Sequence, residues 1–402
     1  MSCFEHAKPL LSRANAGISI PAGDWTLDIG GVVNAYYTSS RTSGAAVGLG
    51  GANATGTTST SNITTGLLPN YLSVSGKTRQ NDLDVGFTIS INPGASTTQG
   101  AKQSAQQENR QAFLTFGDAS WGSFKLGKDL GIYASDAILN DMTLLGVGSG
   151  AALLAGNTTT LGRIGTGFIY ADWKAQIAYT TPNFNGFNAT VGVTQAWNTQ
   201  GAGGDAAAVS GALDAVHNPF ASLITTGRGG SAPAYEGKAS YAWTGDVAGK
   251  VWVSGITQKV IGAQDRAEGA DIGVALTAAG FGLTGYYSNG SGMGTTIQLR
   301  DGFDAAGKAR DSEDYYVQAT YTIPTVGTKL GASWGESKLS GNGATDTGLG
   351  SNEYKNEMWT VGAYHPLTKH LNLVAEYSDV KSSVATTEGK TKTVSLGAIL
   401  FF

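Results

Sequence analysis

The sequence contains one cysteine, nine prolines and only 14% charged residues, and it has no apolar run long enough to cross a bilayer as a helix. Each shortage closes a route. With Cys3 alone, neither an intrachain disulfide nor a thiolate metal site can form. A spanning helix needs about 20 apolar residues, and the uncharged stretch 142–162 is interrupted by five glycines and by Asn157, Thr158, Thr159 and Thr160. The net charge of −4 comes without a Lys/Arg cluster, so nucleic acid is not an expected partner. The histidines suggest no catalytic set. His6 lies in an irregular amino-terminal stretch, His217 in a long loop, and His365 and His370 flank a turn. No His-x-Glu-x-x-His or Gly-x-Ser-x-Gly pattern is present, so no enzyme activity, cofactor or resident metal is expected. The carboxylates of 304–314 lack calcium-loop spacing.

What the chain does have is 59 glycines, abundant Thr, Ser, Asn and Tyr, and a recurring period of two. That composition favours strands and polar loops over helices. In 25–37, Trp25, Leu27, Ile29, Val33 and Tyr37 share one face and Asp28, Gly30 and Asn34 the other. In 315–323, Tyr315, Val317, Ala319, Tyr321 and Ile323 oppose Tyr316, Gln318, Thr320 and Thr322. The chain ends KTKTVSLGAILFF, with Val394, Leu396, Ala398, Leu400 and Phe402 on one face. Apolar faces edged by aromatics suit strands that meet lipid on one side and water on the other.

The alternation places strands near 25–38, 69–77, 82–92, 108–117, 121–129, 173–181, 187–197, 234–244, 249–259, 268–278, 281–289, 313–323, 329–339, 354–365, 371–381 and 390–402, sixteen in all. Connections after even-numbered strands are short, such as 118–120, 245–248 and 279–280; the largest after odd-numbered ones are 39–68, 130–172, 198–233 and 290–312. This asymmetry is expected of a barrel with tight turns on one side of a membrane and long loops on the other. Unsatisfied strand edges cost several kcal/mol per group in lipid, so the sheet must close. The expected fold is all-β: a transmembrane antiparallel barrel of sixteen strands spanning 24–402 and enclosing an aqueous lumen. Residues 1–23 are set aside as a non-barrel segment, a remnant, a tag or a disordered stretch, because MSCFEHAKPLLSR lacks the apolar core of a signal peptide.

Several turns resemble the general porins of beta- and gammaproteobacteria, the Gram-negative family that assembles as trimers. QIAYTTPNFNGF at 176–187 is similar to that family's Y-T-S-P-N-F-x-G-F hairpin, YHPLTKHLNLVAEY at 364–377 to its Y-x-L-S-K-R-T-x-L-Y turn, and NRQAFLTFGDASWGSFKLGKD at 109–129 to the strand pair before its third surface loop. The terminal Phe402 resembles its assembly signal. Asp172 and Ala175 stand where the family often carries Arg and Asn. The resemblance implies an outer-membrane channel for passive diffusion of small hydrophilic solutes and ions, or alternatively a substrate-selective channel for sugars or organic and aromatic acids. It further implies a homotrimer in contact with lipid and lipopolysaccharide, with the second loop, 93–107, as a trimer latch. The third loop, 130–172, is implied to fold into the lumen.

Strand parity puts Lys174 and Gln176, Glu236 and Lys238, and Asn372 and Glu376 on the water side of their strands. On this reading Asp136 and Asp141 of the third loop form the acidic side of a constriction, and Arg110, Lys125 and Lys174 its basic side. Glu236, Lys238 and Glu376 are wall residues, Glu376 far from the constriction. The alternatives are a helix cap for Asp136 and a headgroup-level rim position for Arg110, which follows the apolar parity of Ala112, Leu114 and Phe116.

Overall fold

The computed structural model describes residues 17–45, 47, 58–96, 107–149, 159–197, 232–260 and 263–402. Cys3, His6 and His217 lie outside them. The strands are β1 (Ile18–Ala22), β2 (Trp25–Gly44), β3 (Thr58–Thr64), β4 (Tyr71–Gln80), β5 (Leu83–Ile91), β6 (Ala112–Asp118), β7 (Gly122–Leu130), β8 (Trp173–Thr180) and β9 (Phe187–Thr194). They continue with β10 (Ala234–Trp243), β11 (Ala248–Lys259), β12 (Arg266–Ala278), β13 (Phe281–Ser291), β14 (Asp311–Thr322), β15 (Lys329–Ser340), β16 (Glu353–Pro366), β17 (Leu371–Val384) and β18 (Thr387–Phe401). Every pairing is antiparallel between neighbours, and β18 returns to β2, so the sheet closes.

Eighteen segments fill sixteen positions because two positions are each shared by two segments. β18 covers β2 from Val32 to Gly44, and β1 covers it from Trp25 to Ile29. The amino-terminal stretch set aside from the sequence therefore reaches into the sheet. β18 stops at Phe401, which leaves the first residues of β2 without a neighbour, and Ile18–Ala22 supplies one. The junction is closed by Gly31 and Phe402, which exchange backbone hydrogen bonds of 2.7 and 3.0 Å. A Cβ on Gly31 would lie 2.2 Å from the Tyr71 carbonyl oxygen, so only glycine fits there.

The second shared position departs from the uninterrupted strand expected at 69–77. β3 pairs with the upper half of β2 and β4 with its lower half. Asn34 bridges the break: its side chain donates to the Leu68 carbonyl at 2.8 Å and accepts from the Gly66 amide at 2.9 Å, while its own amide donates to Asn70 Oδ1 at 2.6 Å. The freed Leu67 and Leu68 amides donate to the Gly146 and Leu144 carbonyls at 2.8 and 3.3 Å.

The period of two holds around the ring. Val33, Tyr37, Leu114, Ile177, Val191, Val317, Leu373 and Leu396 are exposed on the outside, and Asn34, Thr38, Lys174, Gln176, Gln318, Glu376 and Ser395 are buried on the inside. Outer aromatics cluster near the short turns, with Phe124 against Tyr179 at 5.3 Å, Tyr241 against Trp243 at 6.0 Å and Phe281 against Tyr321 at 4.5 Å. A second set nearer the long loops includes Tyr315 with Trp334 at 5.7 Å. The two-residue turn Ala279-Gly280 takes positive φ at both positions, 48° and 85°, which is the hairpin geometry that matches strand twist.

Candidate functional site

The segment from 131 to 172 leaves β7 and returns to β8, and its described residues carry many side-chain bonds to the inner wall. Its local structure follows from its sequence. Ala134 turns the chain with φ 61°, and Ser135–Leu139 forms a short helix, α1. Asp141 caps a 3-10 turn, Met142–Leu145, accepting from the Thr143 amide at 3.0 Å and its hydroxyl at 2.6 Å. An aspartate two residues before a threonine satisfies end amides in this way. A second 3-10 turn spans Ile164–Thr166.

The segment's apolar side chains, among them Ile138, Leu144, Leu161, Ile164 and Phe168, pack on a patch of inner-wall aromatics formed by Trp252, Tyr286 and Tyr316. Tyr286 and Tyr316 stack at 5.4 Å, and the Tyr316 hydroxyl donates to the Ala137 carbonyl at 2.8 Å. Two glutamates grip the backbone, one at the segment's start and one near its middle. Glu236 Oε2 accepts from the Ile132 and Tyr133 amides at 2.8 and 2.9 Å. Glu376 Oε2 accepts from the Val147 and Gly148 amides, both at 2.8 Å, and its Oε1 accepts from the Tyr364 hydroxyl at 2.6 Å. Glu376 is therefore not remote from this segment, as its position in the sequence suggested. Between them, Gln318 accepts from the Met142 amide at 2.6 Å, and Arg163 donates to the Met358 carbonyl at 3.0 Å and the Ser333 hydroxyl at 2.5 Å.

The predicted charged residues separate into three groups. Asp136 bonds Lys238 at 3.2 Å and also Lys250, joining α1 to β10 and β11. Burial pushes its carboxyl up, and the two ammonium groups more than reverse this, holding it below the ordinary aspartate value. It is not a helix cap; α1 begins on Ala134 without a side-chain cap. Asp141 does not face an opening: it is fully buried, and besides Thr143 it accepts from the Arg163 amide at 3.4 Å. Its proposed place in an acidic rim is corrected on that ground.

The basic set does not gather opposite these acids. Lys174 is fully buried in an ion pair with Glu236 at 2.7 Å, and Thr194 donates to the same carboxylate oxygen at 2.7 Å. Arg110 is buried too, bonding Glu108 at 2.6 Å and Thr159 at 3.1 Å, with its guanidinium 5.6 Å from the Trp173 ring. It lies before the first residue of β6, so the parity that pointed it at headgroups does not apply. Lys125 pairs with Asp129 on the same strand face. Partly open to the interior are Lys125, Lys238 and Lys250, at 30, 27 and 21% exposure. Lys250 was absent from the sequence reading, although parity with Trp252 and Ser254 in β11 marks it as inward. Arg163 was missed for a different reason: it sits in an irregular segment with no period to read.

A model of the Gram-negative porins matches residues 10–385. The chain belongs to the Gram-negative porins. No curated protein sequence matches this porin. Among solved structures, it is similar to the outer membrane channel DcaP of Acinetobacter baumannii, with 16% identity and a TM-score of 0.63 over 96% of this chain and 100% of that one. It is also similar to the trimer form of the outer membrane protein OmpT of Vibrio cholerae, with 13% identity and a TM-score of 0.54 over 94 and 99% of the two chains. OmpF of Salmonella typhi, solved with daunomycin, matches at 13% identity and a TM-score of 0.56 over 96 and 100%. These likenesses concern the fold. The porin is an outer-membrane channel of a Gram-negative bacterium.

Proposed function

We propose that this porin passes small hydrophilic solutes and ions by passive diffusion through a lumen narrowed by the segment 131–172. The observation that carries this reading is where the segment is tied. It begins and ends on β7 and β8, yet its partners Lys238, Lys250, Gln318, Ser333 and Glu376 project from the inner faces of β10, β11, β14, β15 and β17. A chain running from one side of the wall to side chains on the other must cross the space between. At the crossing, one carboxylate, Asp136, meets two ammonium groups; on the wall strand β7, Lys125 and Asp129 form a second pair. Adjacent opposite charges of this kind leave a local positive excess at Asp136, unlike the two facing rings anticipated from sequence, and bias ion passage by field.

The channel is read as a non-enzymatic homotrimer set in lipid and lipopolysaccharide. The trimer form of the Vibrio protein supports the assembly; of the expected latch at 93–107, residues 97–106 lie outside those described. Phe402 serves as the assembly signal, and its place at the seam with Gly31 supports that role. Liposome swelling with solutes of equal size and different chemistry tests the transport reading. Rates that rank by size and charge agree with passive diffusion; preference for one chemical class at equal size points instead to a substrate-selective channel. Unboiled and boiled gel migration tests the trimer, and absence of a slow heat-labile band rejects it.

A further inference from the structure

The connection between β13 and β14, residues 292–310, does not stay over its own strands. Its Leu299 and Phe303 share a buried cluster with Tyr133 and Ile169 of the segment 131–172 and with Ile256 and Ala267, which face inward from β11 and β12. The connection therefore turns into the barrel and lies on the segment. Within it, Thr296, Leu299 and Asp301 take φ of 60, 71 and 57°, a region that residues with side chains seldom enter, threonine least readily because it is branched at Cβ. Such conformations persist where the surroundings over-determine them.

At Thr296 the surroundings are the limb of the segment that returns to β8. The Thr296 amide donates to the Gly167 carbonyl at 3.1 Å, its carbonyl accepts from the Tyr170 amide at 2.7 Å, and its hydroxyl accepts from the Gly167 amide at 3.1 Å. Gln298 Nε2 adds donations to the Tyr170 and Ala171 carbonyls at 3.2 and 3.4 Å. Both Thr296 and Gln298 are buried. The limb is thus held on two sides: the Phe168 ring lies 6.0 Å from Tyr316 of the wall, while Ile169 joins the cluster of Leu299 and Phe303. The base of the connection is closed by Arg310, whose Nε and Nη2 donate to the two Asp346 carboxylate oxygens at 2.7 and 2.6 Å and whose Nη1 donates to the Asp301 carbonyl at 2.9 Å. Asp346 belongs to the next long connection, 341–352, so the clamp on the limb is braced from outside the segment.

We infer that Thr296 and Gln298 are positioning residues of the constriction: they fix the limb 167–171, and through it the width of the passage, from a connection other than the one that narrows it. The two limbs of the segment differ in what secures them. Near its start the Ile132 and Tyr133 amides are held by Glu236, a residue of the barrel wall itself. On the returning limb the Gly167 and Tyr170 amides are held by Thr296, a residue of a loop. Without that loop these amides need water or another acceptor, and a limb released from one of its two sides samples wider passages. Larger solutes then gain most. The inference rests on the reading of the segment as a constriction for this effect on width; the clamp itself stands on the bonds at Thr296 and Gln298.

Liposome swelling with uncharged sugars of increasing size reads the width apart from the charges at Asp136. The unclamped variant is Thr296→Pro with Gln298→Ala, because proline cannot take φ near 60° and has no amide to donate. It is expected to keep heat-modifiable migration, since the wall is untouched, and to admit the largest sugar that still enters wild-type liposomes at least twofold faster relative to the smallest. Thr296→Gly takes the positive φ freely and keeps both backbone bonds, so its size ranking should stay with the wild type. A ranking unchanged in the folded unclamped variant, or shifted as far in Thr296→Gly, overturns the inference. If the unclamped variant does not fold, hydrogen exchange of the full-length wild-type porin in detergent decides: the Gly167, Tyr170 and Thr296 amides must be protected together, and free exchange at Gly167 and Tyr170 overturns the clamp. Wild-type swelling rates that do not fall with sugar size reject passive diffusion instead and leave the exchange result standing, so the two readings fail separately.

Discussion

Lys174 Nζ lies 2.7 Å from Glu236 Oε1, and neither side chain has any exposed surface. The pair sits where β8 meets the start of the 131–172 segment, because the other oxygen of Glu236 holds the Ile132 and Tyr133 amides. A charge pair so placed positions the chain; it does not meet solute.

Removing one partner of a buried pair leaves the other charge uncompensated and costs about 3–5 kcal/mol. Lys174→Met is therefore expected to lower the temperature of the heat-modifiable transition clearly. The double variant, Lys174→Met with Glu236→Gln, is expected to recover part of the loss, since the glutamine carbonyl remains an acceptor for the two amides and no unpaired charge is left. A single variant as stable as the wild type, or no recovery in the double, refutes the assignment.

At α1 the consequence is for ions. Asp136→Asn leaves Lys238 and Lys250 without their carboxylate, so reversal potentials in a salt gradient should move toward anion preference. Lys238→Gln with Lys250→Gln should move them the opposite way. Planar-bilayer recordings of both variants decide the matter; shifts of the same sign, or none, would remove Asp136 from the constriction.

Acid provides a separate check on the same residue. The Asp136 carboxyl is held below the ordinary aspartate value, burial being outweighed by its two lysines. A depressed carboxyl contributes its stabilisation in full above the unfolded-state value, about 3.9, and loses it as pH falls through its own lower value. The stability difference between wild type and Asp136→Asn should therefore stay constant from neutral pH to about 4 and close only below. Thermal transitions followed from neutral to strongly acidic buffer give this curve. Closure already one to two pH units above the ordinary aspartate value would contradict the lysine bridge.

The seam is open to test at Phe402, whose backbone exchanges two hydrogen bonds with Gly31 and whose ring is 38% exposed on the outer face. Deleting Phe402 removes both bonds at the point where β1 and β18 meet. We expect slower refolding into lipid vesicles and a smaller heat-modifiable fraction. Equal yields from the intact and truncated chains would show that the residue is dispensable for assembly.

Much of the barrel was legible because a two-residue period carries through the strands. Val33 against Asn34, and Ile177 against Lys174 and Gln176, fell on the faces their parity required. The break between β3 and β4 was not legible, since it depends on Asn34 bonding Leu68, Gly66 and Asn70 across the chain. Nor was β1, whose strand exists only because β18 ends short of Trp25. Along the inner wall, parity turned Lys174, Glu236 and Glu376 inward, where they are buried, and gave no account of what each would meet there.

Alternation and the unequal loop lengths, which the sequence alone holds, determined a closed barrel of sixteen positions, because lipid on one face and water on the other admit one arrangement of apolar and polar side chains. Only the tertiary structure decided the charge pattern within. Lys174 is drawn to Glu236, Asp136 to Lys238 and Lys250, and Asp141 to its own turn. The partners of Lys174 and Asp136, distant along the chain, are brought together by curvature of the wall and by the path of one irregular segment, neither of which leaves a period to read.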